Sequence, residues 1–145
     1  MSELFPAQTG IRTLVAGAAA GTPLQIDPVS FWGGFDSNSG KIIDRFHPHF
    51  GERLSGRILF MKHGRGSSSG ASVLAEAVRL GTAPAAICLT TNDAIITIGA
   101  LVADRLYKIP CPVIVIDNKE KWSALAKANH LEIDARAAGV QITRQ

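Results

Sequence analysis

Seven consecutive residues, Gly64-Arg65-Gly66-Ser67-Ser68-Ser69-Gly70, gather three hydroxyls and a guanidinium among three glycines. Glycine lets a backbone approach a ligand closely. A serine hydroxyl at the start of a helix stands among unpaired amides and the positive end of the dipole, so an alkoxide formed there is stabilised. Two readings of the segment stay open on the residues alone. It is an anion or substrate site, or it is a turn and a cap, because serine is a preferred N-cap and Gly64 and Gly66 suit a turn. Two nucleotide readings are excluded. No Gly-Lys-Ser/Thr follows the glycines, so this is not a Walker A loop, and their spacing is not that of a dinucleotide fingerprint.

Other reactive side chains carry weaker signals. His47-Pro48-His49 offers two ligands about a rigid proline but no further ligand for a metal, and a surface loop is expected. His63 directly precedes the glycine-serine segment, and a loop histidine can accept a phosphoryl group, which makes a stand-alone phosphocarrier domain the alternative to a catalytic role for the serines. Asp36, Asp44 and Asp93 are candidates for a substrate rim, although turn or cap duty suits Asp36 and Asp93 better. Trp32, between Phe31 and Phe35, reads as core or subunit interface. Cys88 and Cys111 sit in apolar surroundings at a spacing that matches no metal or redox motif. They are expected to be buried free thiols in a reducing compartment, so the chain alone is not expected to hold a cysteine-ligated cluster.

The elements that must position the loop follow from the apolar pattern. Arg57–Met61 contains a short apolar run fit for a buried strand. After the loop, Ala71–Leu80 places Val73, Leu74, Ala77, Val78 and Leu80 at helical spacing, and Gly81 supplies the stop. A strand at Ala85–Leu89, a helix near Ala94–Tyr107 and a strand at Val113–Ile116 come next. Lys119–Ala128 suits a further short helix, with Leu131–Ile133 and Val140–Thr143 as late strands. Strand, helix, strand, helix, strand at these spacings implies a parallel sheet, with the loop outside the carboxyl end of a strand, where ligands bind in such sheets. The first 55 residues, rich in turn formers, read as short strands around Leu14–Ala20, Pro28–Trp32 and Ile42–Ile43, with a turn at Asp36–Gly40. An early all-β layer packed on an α/β layer gives the expected fold class: α/β, in a β/β/α arrangement with a partly parallel sheet.

Composition sets the outer limits. The 145 residues suit one domain, read here as 1–145, and a hydrophobic content of 46% argues against disorder. The longest apolar runs fall short of the ~20 residues of a membrane span, and the N-terminus lacks a secretory pattern, so a cytoplasmic protein with no membrane partner is expected. The net charge of +3 comes from cations scattered among carboxylates, with one Tyr and two Trp for stacking, so no nucleic-acid partner is expected.

Five pieces in order, Ser30-Phe31-Trp32-Gly33-Gly34, Lys41-Ile42-Ile43-Asp44-Arg45, His47-Pro48, Gly64–Gly70 and Gly81-Thr82-Ala83-Pro84-Ala85, resemble the small subunit, or swivelling domain, of aconitase X. The likeness runs from about residue 10 to about residue 120. It implies a swivelling domain, the small subunit of a two-chain hydro-lyase, inactive alone. The domain would close over a larger aconitase X subunit that carries an iron–sulfur cluster and most substrate ligands. In the wider superfamily the loop reads glycine-serine-serine-arginine, and its first serine removes a proton from substrate carbon. By position that base is Ser67, and Ser68 matches the second serine. Ser69 departs from the pattern, standing where the superfamily has arginine, and Arg65 is the nearby cation. The resemblance thus makes Gly66 and Ser68 substrate contacts, with Ser69 or Arg65 a contact in place of the missing arginine. It offers cis-3-hydroxy-L-proline as substrate, with mevalonate 5-phosphate as the alternative; the Ala-rich, moderately charged composition favours the first. A module that merely holds an anion is the remaining reading.

Overall fold

The computed structural model describes residues 2–6 and 10–145. Along the chain these form β1 (Ser2–Pro6), β2 (Ile11–Val15), β3 (Gly17–Gly21), β4 (Pro23–Gln25), α1 (Phe31–Gly34), β5 (Phe35–Asp36), β6 (Lys41–Ile42), β7 (Ile58–Phe60), α2 (Gly70–Leu80), β8 (Ala86–Leu89), α3 (Ala94–Tyr107), β9 (Val113–Ile116), α4 (Lys119–Ala126), β10 (Leu131–Arg136) and β11 (Gly139–Arg144).

Strands that are apolar at every position must be covered on both faces, and β7, β8 and β9 are buried throughout. They form the parallel centre of a five-stranded sheet ordered β2-β9-β8-β7-β4, in which only β2 runs antiparallel to its neighbour. Because side chains alternate along a strand, this sheet feeds two cores. Leu59, Ile87, Leu89, Val113 and Val115 pack with Leu74, Ala77 and Val78 of α2 and Ile96, Ala100 and Ala103 of α3. Ile58, Phe60, Ala86, Cys88, Ile114 and Ile116 pack on the other side with Trp122 and Leu125 of α4 and with Leu131, Ile133, Val140 and Ile142. The second sheet, ordered β1-β11-β10-β3, is antiparallel throughout. Its strand β10 alternates buried and solvent-facing residues, as a one-sided sheet requires. The expected β/β/α architecture is therefore the one found.

Its wiring differs from expectation. The all-β layer is not the early half of the chain. It joins β1 and β3 from one end to β10 and β11 from the other, while β2 and β4 belong to the central sheet. The run Leu14–Ala20 is not one strand but two, split at Ala16, with a register irregularity between Thr13 and Val15. Pro28–Trp32 forms no strand. It leads into α1, a single irregular turn with non-helical angles at Trp32 and Gly33. The Asp36–Gly40 turn is present, closing the small β5-β6 hairpin through Gly40 N donating to Asp36 O at 2.7 Å. α4 stops two residues short of Ala128, whereas β10 and β11 run longer than Leu131–Ile133 and Val140–Thr143. No helix of the described residues is long and apolar enough to cross a membrane.

Close packing on α3 places the start of α2. A Cβ on Gly99 of α3 would lie 2.7 Å from Ala71 O and 3.1 Å from Leu74 Cβ, so glycine lets the helices meet at the first turn of α2. At the far end Gly81, with φ +78°, caps the helix through its N–H to Ala77 O and Val78 O.

Candidate active site

The loop between β7 and α2 lies outside the carboxyl end of a central parallel strand, as expected from the sequence. Its three serines are all exposed, as are Arg65 and Gly66, while Gly70 is buried. Gly66 has φ +93°, a region that side chains avoid, and a Cβ there would overlap Ser30 Oγ and come within 2.8 Å of Ser30 Cβ. This glycine is required both by its backbone and by close approach. Beneath the loop is a small cavity of about 160 Å³, bounded by Phe31, Arg65, Gly66, Gly70, Asp93 and Ile95. A larger open depression of about 490 Å³ on the outer face of the antiparallel sheet is lined by Ala18, Ala20, Glu132, Asp134, Gln141 and Thr143.

The serines do not share one duty. Ser67 Oγ accepts a hydrogen bond from Ser69 N at 3.2 Å, and Ser67 O accepts from Gly70 N at 3.0 Å. An amide that donates to a hydroxyl oxygen favours its ionised form. Ser68 O accepts from Ala71 N at 3.1 Å. Ser69 is the N-cap of α2, yet it has helical angles and makes no side-chain cap bond; its carbonyl instead accepts from Ser72 Oγ at 2.8 Å. The Ser69 hydroxyl therefore does not cap the helix, and the hydroxyl that takes up an amide at its start is that of Ser67, on Ser69 N. Among the described residues, Ser68 Oγ and Ser69 Oγ form no hydrogen bond, and neither Lys62 nor Arg65 forms an ion pair. The loop therefore presents hydroxyls and the uncommitted guanidinium of Arg65 at one helix start, an arrangement suited to a small carboxylate or phosphate.

The other candidates read from the sequence fall in different places, and His47 is the largest correction. Its segment is an exposed loop, as expected, with Phe46 96% exposed, but the His47 side chain itself is only 6% exposed, with Nε2 2.8 Å from Asp27 O and Nδ1 accepting from His49 N at 2.9 Å. Since Nδ1 accepts an amide proton, Nε2 carries the hydrogen and donates it to Asp27 O. His49 is half-buried with its Nδ1 unpaired, its ring centroid 5.7 Å from that of His47. His63 is exposed, and its Nδ1–H donates to Gly64 O at 2.7 Å. Asp36 does turn duty, accepting from Ser39 Oγ at 2.6 Å and Asn38 N at 3.2 Å. Asp44 accepts from Phe46 N at 3.0 Å. Phe31 and Phe35 are core, edge-to-face at 5.1 Å, whereas Trp32 is 57% exposed and belongs to no core.

Sequence reasoning assigned Asp93 to a cap, which is observed, but missed its second bond: Oδ2 accepts from Gly64 N at 2.9 Å. It also missed Ser30 as the wall behind Gly66, and Arg12, which bridges Asp117 at 2.9 Å and Asn92 at 2.6 Å beside the strand ends. These contacts join residues far apart in the chain, and spacing carries no sign of them. Cys88 and Cys111 are buried free thiols in different cores, and burial pushes both thiols up, Cys111 to about 12. Among the described residues no three of His, Cys, Asp and Glu group as a metal site. The residues present do not fit an iron–sulfur cluster.

Residues 8–142 match the family model of the aconitase X swivel domain. A cis-3-hydroxy-L-proline dehydratase of Pseudomonas aeruginosa is 46% identical over 116 residues, which is 79% of this chain and 20% of that protein. The corresponding dehydratase of Hypocrea jecorina is 40% identical over 61% of this chain and 15% of its own length. This chain thus aligns with a fifth or less of these two relatives. A phosphomevalonate dehydratase small subunit of Methanothermobacter thermautotrophicus is 31% identical over 86% of this chain and 91% of that subunit. The crystal structure of Thermococcus kodakaraensis aconitase X in its holo-form superposes with a TM-score of 0.74 at 26% identity, covering 99% of this chain and 98% of that one.

Proposed function

The chain belongs to the aconitase X swivel-domain family, and on that premise we propose that it is the small, swivelling component of a hydro-lyase, bringing Ser67 as the base to a site completed by a larger partner. The observation that carries this reading is the position of Ser67: exposed, beyond the end of a buried parallel strand, one turn ahead of an eleven-residue helix, with an amide already donating to its oxygen.

The chemistry asked of the loop is proton abstraction from carbon. A serine alkoxide takes the proton, the C–H electron pair becomes the new double bond, and hydroxide leaves from the neighbouring carbon. A free serine hydroxyl is a poor base. Here the Ser69 amide and the α2 dipole stabilise the alkoxide, and closure against the partner would exclude water and strengthen both effects. In this reading Arg65 and the hydroxyls of Ser68 and Ser69 hold the substrate carboxylate or phosphate, and Gly66 gives it close access to the backbone. The iron–sulfur cluster of this reading belongs to the larger partner. A chain with only the base should be inactive alone.

For the substrate we infer cis-3-hydroxy-L-proline, supported by 46% identity to the dehydratase of that name. A second reading, mevalonate 5-phosphate, is favoured by one specific observation: the Methanothermobacter small subunit named for that dehydration matches over 91% of its length. A tagged chain purified anaerobically from its host should bring down a larger brown protein, and the pair should dehydrate one of these two substrates. Ser67→Ala should lower that activity by roughly 10²-fold or more. Full activity of Ser67→Ala would sink the base assignment, and a chain recovered alone and colourless would sink the two-component reading.

A further inference from the structure

Both carboxylate oxygens of Asp93 are engaged, and by different elements. Oδ1 accepts from Ile96 N at 3.0 Å and caps α3, while Oδ2 accepts from Gly64 N at 2.9 Å and holds the base of the serine loop. Gly64 is held from its other side as well, because its carbonyl accepts from His63 Nδ1–H at 2.7 Å. Two residues before Gly64, Lys62 O accepts from both Thr90 N and Thr90 Oγ1, each at 3.0 Å. A Cβ at residue 64 would lie 2.9 Å from Asp93 Oδ2 and 2.9 Å from Ile96 Cδ1, so a side chain there would displace the end of one of them. Beyond Gly64 the pattern changes. Among the described residues, the hydrogen bonds of residues 65–69 run only within the loop and into α2. Asp93 is therefore the last polar tether to another element before Ser67.

We propose that Asp93 is a positioning residue for the serine loop, tying the location of Ser67 to the N-terminus of α3; the proposal rests on the reading of Ser67 as the base. An ionised carboxylate can accept at two oxygens at once. An asparagine accepts at one, and a serine is able to cap α3 but too short to serve both elements. Loss of the tether frees the loop without removing any group that touches substrate. A misplacement of about 1 Å is enough to cost about 10²-fold in rate.

The test uses Asp93→Ser and Asp93→Asn in the full chain, alone and paired with the larger partner. In the chain alone, amide hydrogen exchange at Gly64 should quicken by at least about tenfold while Ile96 in Asp93→Ser stays protected. In the paired enzyme kcat should fall by roughly tenfold or more with KM little changed. Adding Asp93→Ser to Ser67→Ala should cost nothing beyond Ser67→Ala itself, because a residue acting through Ser67 has nothing left to position. Unchanged Gly64 exchange, or unchanged kcat beside an inactive Ser67→Ala, overturns the role of Asp93 and leaves the base reading intact. Full activity of Ser67→Ala overturns the base reading, and the positioning role falls with it.

Discussion

Gly66 and Ser30 are wedged together: a methyl at residue 66 would overlap Ser30 Oγ, which is fixed by donating to Trp32 O at 2.7 Å. The tip of the serine loop therefore rests on the start of α1. Gly66→Ala meets two obstacles, this contact and a backbone at φ +93°. The loop tip should shift, with a strain of about 1–3 kcal/mol if it does not. Thermal unfolding should show a Tm lower by a few degrees, and the paired enzyme should lose far more activity than stability. Adding Ser30→Gly relieves the overlap but not the dihedral strain, so it should restore only part of the Tm. A variant as stable and active as the parent would mean that the tip is not held here.

Much of this was legible in residue order. The uninterrupted apolar runs of β7, β8 and β9 announce strands covered on both faces, and the helical spacing ending at Gly81 gives α2 to within a residue. A buried strand, a Gly-Ser segment and a helix in succession are enough to place the loop at a strand's carboxyl end. What was not legible is long-range. Nothing local tells that β3 leaves the sheet of β2 after Ala16, because register is set by partners at the far end of the chain, where Ala19 meets Ile133. Likewise a cap at Asp93 can be read from the helix that follows, but its bond to Gly64, 29 positions away, cannot.

His47 is a structural histidine that ties two loop segments together. Replacing it with Phe keeps the ring but removes its bonds to Asp27 O and His49 N, at a cost of about 0.5–1.5 kcal/mol for each, since both bonds are part-buried. Urea unfolding of His47→Phe should show a clearly lower midpoint with an unchanged slope. A chelator should leave the Tm of the parent chain unchanged; a drop would restore the metal reading of His47-Pro48-His49.

Asp36 makes the β5-β6 turn sensitive to acid. The Ser39 hydroxyl, then the Asn38 amide, hold its carboxyl below the ordinary value near 3.8. A lowered folded value means that the stabilisation is present above about pH 4 and is lost as pH falls through that lower value. Asp36→Asn should therefore be less stable than the parent near pH 6, with the gap narrowing as the pH drops toward about 2. Urea midpoints measured along that series check the sign. A gap that widens in acid would contradict it.

Cys88 and Cys111 lie on opposite sides of the central sheet, and the packing of each makes its thiol inert. Cys88 sits between the two sheets, its carbonyl accepting from Trp122 Nε1 at 3.0 Å, while Cys111 Sγ donates to Pro84 O at 3.4 Å beneath the helices. The thiolate is the reactive species, and burial raises both thiols far above neutral, Cys111 to about 12 and Cys88 in the same direction. Iodoacetamide at about pH 8 should leave both unmodified in the folded chain, and urea should expose both together, because neither core opens without the sheet they share. Mass spectrometry of the quenched reaction reads the outcome. Rapid labelling of Cys111 alone would mean that the helical layer opens locally, the side that carries the serine loop. Labelling of Cys88 alone would instead place the weak point between the sheets.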